Sequence, residues 1–309
     1  MKGIFIIAPL ILVIILGMAV RAAGFFTDKD KDMLTRLLYW IVLPALLFRT
    51  TYLAGGDISG QKNLFFSAYA AMIGLPLAAF LIAKFITHRG NIGQQALSAM
   101  AAARSNNIYL GLPACALAMG DAGTHAASVC LALALPGYNL ISITWGEAVY
   151  SGGITFKSLR GIALRVVKNP LIISSVLGIC AAALKIPMPE TLMSSIKLVA
   201  DMATGVALLS LGMSLELSLL IPALKHAWHD ALIKLALHPA ITWIFLMLWP
   251  VHQDFFRAAV IIAAMPTALN TFIIAGGMGL DERYACEIVA VTTVLAPITI
   301  PIWIYLLGI

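Results

Sequence analysis

The residues best suited to hold a ligand sit where a membrane-spanning run should be least polar. Residues 101–120 read AAARSNNIYLGLPACALAMG, which sets Arg104, Ser105, Asn106 and Asn107 side by side, with Gly111 and Pro113 just behind. A guanidinium can grip a carboxylate through two parallel hydrogen bonds, and each Asn side chain offers both donors and an acceptor. A second stretch, MPTALNTF, brings Pro266, Thr267, Asn270 and Thr271 into another apolar run. This chemistry is anion binding rather than bond making. No HExxH or GxSG pattern appears, YSGG at 150–153 lacks the first Gly, and AMGD at 118–121 lacks the GxGD form. An intramembrane enzyme is therefore the remote alternative, and the absence of GxxxxGK[ST] argues against ATP hydrolysis. No cofactor and no metal are expected.

The elements that carry these residues follow from composition. Of 309 residues, 61% are hydrophobic and 11% charged, against about 25% charged in an average soluble domain. Apolar runs fall near 4–20, 34–54, 64–86, 95–119, 123–149, 166–184, 194–220, 229–250, 256–279 and 285–308. Runs of about 20 such residues predict transmembrane helices. The fold class expected is an all-α polytopic membrane protein with ten helices in a lipid bilayer. The net charge of +6 does not point to nucleic acid, because the basic residues punctuate the runs instead of clustering. Cys115, Cys130, Cys180 and Cys286 form no CxxC pair and read as small core residues. Residues 1–23 resemble a signal peptide, but their apolar stretch suits a retained first helix.

Orientation follows from Lys and Arg. Loops after odd-numbered runs hold thirteen of them: Arg21, Lys29, Lys31, Arg36, Lys84, Arg89, Lys157, Arg160, Arg165, Lys168, Lys225, Lys234 and Arg283. Six lie on the other side, and Arg104 on neither. Cytoplasmic loops are the basic ones, so both termini are expected outside the cytoplasm. The runs also divide into two sets of five, residues 1–155 and 156–309. Met119–Gly120 ends run four and Met278–Gly279 ends run nine, each followed by a short acidic loop and a long helix. Five is odd, so the second set enters the membrane inverted. Inverted repeats with helices interrupted at matching places are the best sequence pointer to a transporter's binding site.

In run four, Gly111 relaxes the backbone and Pro113 removes an N–H, so a first half-helix is predicted to about residue 109 and a second from about Pro113. In run nine, Asn270 or Thr271 could cap a second half-helix. The blander reading is a pair of proline kinks.

Six segments then resemble the auxin efflux carrier family, in its bacterial members and its plant carriers: LPALLF (43–48), NNIYLGLP (106–113), RVVKNPLIISSVLGI (165–179), VADMATGVALLSLGMSL (199–215), AAMPTALNTFIIA (263–275) and APITIPIWIYLLGI (296–309). The resemblance implies a 5+5 inverted repeat with helices four and nine broken and crossing at the substrate site. It implies a scaffold of helices 1, 2, 6 and 7, often dimeric, against which helices 3–5 and 8–10 move elevator-fashion. Asn106 matches the family's crossover asparagine that binds the substrate carboxylate, Gly111 and Pro113 match the helix-four crossover, and Pro266 matches that of helix nine. Thr271 replaces a second proline of the plant carriers, and their long central loop is absent. Small organic anions, auxin-like or malonate-like carboxylates, are the implied substrates, and the bacterial inner membrane the implied location.

Other polar residues have simpler readings. Asp201 follows Lys197 by four residues, which suits an ion pair near the outer face; the alternative is a coupling site for a proton or cation. Glu147 reads as interfacial. His226 and Asp230 read as a solvated helix start rather than a metal site. Trp40, Trp145, Trp243, Trp249 and Trp303 read as interface or packing residues. Arg104 has three readings: a structural pair with Asp201 or with the bare carbonyls of a half-helix end, snorkelling to the cytoplasmic surface, or a counter-charge for a substrate carboxylate. A sodium-coupled carrier of the bile-acid type, with the same broken helices, is the competing transport reading.

Overall fold

The computed structural model describes residues 2–54, 60–150, 168, 170–214, 220–268 and 271–309. Among these the secondary structure is helical, with no strand beyond a single isolated bridge. Lys157, Arg160, Arg165 and Asn270 lie outside the described residues.

Helix α1 (Lys2–Ala22) is followed by α2 (Asp28–Leu37) and α3 (Leu43–Ala54), joined by a π turn over Leu38–Val42. The Asp30 side chain caps the start of α2: Thr27 donates its N–H (2.8 Å) and hydroxyl (2.6 Å) to Asp30 Oδ2, which holds that carboxyl below its ordinary pKa. Next come α4 (Lys62–Ile82), α5 (Ile92–Ala102) and α6 (Leu112–Tyr150). The Asn91 side chain caps α5 by accepting from Gln94 N at 3.1 Å. In the second half lie α7 (Pro170–Ala183), α8 (Glu190–Asp201), α9 (Ala203–Ser214), α10 (Leu220–Leu232) and α11 (His238–Leu248). A π turn over Ile233–Leu237 joins the last two. The chain ends with α12 (Gln253–Ala263), α13 (Thr271–Gly277) and α14 (Glu282–Leu306).

Among the described residues, four helical stretches are long and apolar enough to cross a membrane: Lys62–Thr87, Leu112–Ala134, Pro222–Leu248 and Glu282–Leu306, with shorter apolar helices at Ile11–Ala22 and Leu38–Leu53. Large apolar side chains point outward, among them Leu16, Phe66, Ile86, Met247 and Ile298. That outward face suits lipid, so helix association here rests on close packing rather than on removal of water. Gly17 of α1 and Gly212 of α9 show it, since a Cβ on either would strike the facing backbone, Leu209 O and Ile14 O respectively. Gly178 of α7 lies equally close to Thr51 and Phe48 O of α3.

Gly120 lies inside the long α6 and has φ +65°, which divides it into two helices. Gly279, after α13, has φ +75°. The two Met-Gly glycines thus share a positive φ, which is costly for any other residue.

Two readings of the cysteines and of KHAWHD need correction. Cys115 and Cys130 are buried, but Cys180 and Cys286 are exposed. His226 is exposed and lies 3.3 Å from Glu287, whereas Asp230 is buried and bonded to three other helices or turns. The apolar face of α10 turns Asp230 inward against α14 and α5.

Candidate functional site: the crossing of two broken helices

The chain unwinds between α5 and α6 and again between α12 and α13. The first break falls at residues 103–106, earlier than Gly111 and Pro113 suggested. Asn107–Gly111 already winds as a π turn that runs directly into α6, so Pro113 lies inside a continuous helical stretch rather than at its start. Gly111 has helical neighbours, and a Cβ there would meet Ile262 and Met265 at 3.4 Å, ordinary contact. The break coincides with its pairing partner, not with the glycine.

That partner is the second break. Ser105 and Thr267 form an antiparallel bridge. Asn106 N donates to Pro266 O at 2.7 Å, and Ala268 N donates to Arg104 O at 2.8 Å. Unwound backbone at membrane depth survives only where protein or a water-lined cavity satisfies it, and here each break satisfies the other. Thr267 N adds a bond to Thr292 Oγ1 of α14 (3.1 Å), and Tyr138 of α6 donates its hydroxyl to Ser105 O (3.0 Å).

Two buried cations flank the crossing. Arg104 is fully buried. Its Nε donates to Thr271 Oγ1 (3.3 Å) and an Nη to Ser142 Oγ (2.9 Å), and its guanidinium carbon lies 4.9 Å from the Tyr138 ring centroid. A cation over an aromatic face is attracted by the ring quadrupole. Asp201 is not its partner: it sits exposed at the end of α8, paired with Lys197 at 2.6 Å. The expected i,i+4 pair is there, and Asp201 is not brought to the crossing.

Lys234 is the second cation, and the sequence reading missed it. It is fully buried in the π turn between α10 and α11, not in a basic loop, so it drops out of the charge count. Nζ donates to Ser105 Oγ (2.6 Å) and Ala263 O (3.1 Å) and lies 2.6 Å from His238 Nδ1. Ala263 is the last residue of α12, so the ammonium caps the carbonyl end of a half-helix, where a cation is favoured. The signal was available: a Lys five residues into the apolar run 229–250 is costly and commonly functional. His238, Tyr138 and Ser142 had no such signal.

Three buried polar atoms at or beside the crossing have no partner among the described residues: Asn106 Nδ2, Asn107 Oδ1 and Thr267 Oγ1. Buried polar groups in folded proteins are nearly all satisfied, so each of these asks for an occupant. Nδ2 is a donor and Thr267 Oγ1 can donate. Together with the Arg104 guanidinium and the Lys234 side-chain nitrogen, they gather donors suited to an anion. The short Ser105–Lys234 contact resembles a nucleophile–base pair. Lys234 Nζ also reaches Ala263 O and His238 Nδ1, so it is held as a tether between segments rather than presented to a substrate. Among the described residues no group of three His, Cys, Asp or Glu is placed to hold a metal.

Comparison with known proteins fits this geometry. The chain is 24% identical over 306 residues to a Rhizobium meliloti (strain 1021) protein named "Putative malonate transporter", covering 98% of this chain and 95% of the relative. It is 23% identical to an "Uncharacterized transporter" of Methanothermobacter thermautotrophicus, covering 96% of each. It is 25% identical to auxin efflux carrier component 5 of Arabidopsis thaliana, covering 90% of this chain and 89% of that one. Residues 3–304 match the family described as membrane transport protein. The chain belongs to that membrane transport family, the one that includes the auxin efflux carriers.

Proposed function

We propose that the protein is a secondary transporter of a small organic anion, a carboxylate, and that the anion binds where the two unwound segments cross. One observation carries the reading: donors without partners, Asn106 Nδ2 and Thr267 Oγ1, lie at an antiparallel crossing flanked by buried Arg104 and Lys234. Relatives named for malonate and for auxin efflux support the same substrate class. Asn106 holds one carboxylate beside the start of the Asn107–Gly111 turn. Arg104 supplies the counter-charge for a second, which favours a dicarboxylate. The protein is a carrier, not an enzyme.

The wider architecture is part of the same proposal. Ten membrane helices form a 5+5 inverted repeat, supported by the two breaks and by the positive φ of both Gly120 and Gly279. The close glycine contacts of α1 with α9 and of α3 with α7 support a scaffold built from those helices, through which a homodimer assembles. The remaining helices carry the crossing past it as an elevator. Both termini lie outside the cytoplasm of a bacterial inner membrane. Uptake of radiolabelled malonate into proteoliposomes tests the reading. Saturable flux that unlabelled carboxylates inhibit is expected, and flux equal to protein-free liposomes for malonate, succinate and acetate alike would overturn it.

A further inference from the structure

We infer that the Lys234 ammonium is a tethered cation standing in the crossing's cation position, so that the anion site operates without sodium. The inference rests on the anion reading above and adds what balances its charge. In carriers built from broken helices, unwound carbonyls and the C-terminal ends of half-helices coordinate the coupling cation. Lys234 Nζ lies at such an end, 3.1 Å from Ala263 O, the last residue of α12. Its second acceptor, Ser105 Oγ at 2.6 Å, belongs to the other unwound segment, next to Asn106. One charge therefore ties both breaks together.

The third acceptor identifies which cation the position fits. His238 Nδ1 lies 2.6 Å from Nζ and accepts from it in the tautomer that carries the ring proton on Nε2. Hard cations take oxygen ligands, whereas an imidazole nitrogen readily accepts an N–H. Two oxygens and one nitrogen match the three N–H donors of an ammonium one for one. Lys234 and His238 are four residues apart on one stretch of helix, with the π turn over Ile233–Leu237 between α10 and α11. Such π turns cluster at functional sites. The side chain that supplies the charge and the one that accepts from it thus come from the same element, and the oxygens come from the two breaks. Lys234 is a positioning residue for the anion: it fixes Ser105, and through it the backbone that presents Asn106, while adding a positive charge to a water-poor site.

Calorimetric titration of malonate into the purified protein tests this, in sodium chloride and in choline chloride at equal ionic strength. Wild-type affinity is expected to agree between the two salts within about twofold. Lys234→Met, checked for folding by its ligand-free melting temperature, is expected to bind malonate at least about tenfold more weakly, as loss of a charge partner does. Added ethylammonium is expected to recover part of that loss by refilling the vacated position. Wild-type affinity that depends on sodium would overturn the inference. So would a folded Lys234→Met that binds as wild type, or one whose loss ethylammonium does not touch. Should Lys234→Met fail to fold, the sodium comparison on the wild-type protein decides alone. Wild-type protein that binds no malonate, succinate or acetate in either salt would remove the anion reading itself, and this inference with it.

Discussion

Asp230 and Lys234 stand one helical turn apart at the junction of α10 and its π turn, yet they serve two different kinds of buried polar region. Asp230 closes a network. Oδ1 accepts from Ser98, and Oδ2 accepts from Tyr284 (2.5 Å) and lies 3.2 Å from His88 Nε2. Every carboxylate oxygen is taken, and α5, α10, α14 and the end of the Ala83–Thr87 turn are pinned together. At the crossing, by contrast, Lys234 is saturated while Asn106 Nδ2, Asn107 Oδ1 and Thr267 Oγ1 are not. A satisfied network rigidifies a fold, and an unsatisfied one leaves a place for a ligand. The same helix therefore carries a structural clamp and, four residues on, an edge of a binding site.

Substitutions should separate the two regions. Asp230→Ala leaves His88, Tyr284 and Ser98 without their acceptor and should cost about 3–5 kcal/mol of stability, as breaking a buried charged network does. Chemical unfolding in detergent should show that loss, with malonate affinity of the folded fraction unchanged. A large affinity change without a stability change would reverse the two roles. Arg104→Gln should weaken malonate by about 2–5 kcal/mol, the range for removing one partner of a buried charge pair, while sparing acetate. Competition in proteoliposomes reads this, and equal loss for both acids with a fall in ligand-free stability would assign Arg104 to the fold.

Asn106→Ala should cost about 1.5–3 kcal/mol of malonate binding, one hydrogen bond to a charged group, with little effect on ligand-free melting because its Nδ2 has no protein partner to lose. Asp201→Asn marks the lower end. Its pair with Lys197 is more than half exposed on both sides, so stability should change by no more than about 0.5 kcal/mol. Transport at the wild-type rate is expected, and a lost gradient dependence would restore Asp201 as a coupling residue.

The sequence made one half of the crossing legible and hid the other. Arg104, Ser105, Asn106 and Thr267 stood out because polar residues in an apolar run are costly, and the structure brings them together. The break was misplaced by several residues because Gly111 and Pro113 are the local punctuation, whereas the real boundary coincides with pairing to Pro266 and Ala268, more than 150 residues away. Lys234 was lost for a related reason: counting Lys and Arg for orientation treats each as a loop residue, and only its contact with Ser105 reveals otherwise. Asp230 was misjudged because KHAWHD has a polar face by composition, while the network that buries Asp230 is assembled from three other parts of the chain. Spacing shows which residues share a face, not what that face meets.

The most direct measurement is a crystal structure with bound bromomalonate, read by the anomalous scattering of bromine. The peak is expected at the crossing, with a carboxylate within hydrogen-bond reach of Asn106 Nδ2 and Thr267 Oγ1 and the other facing Arg104. A peak elsewhere, with Asn106 and Thr267 still without an occupant, would contradict the assignment of the crossing as the anion site.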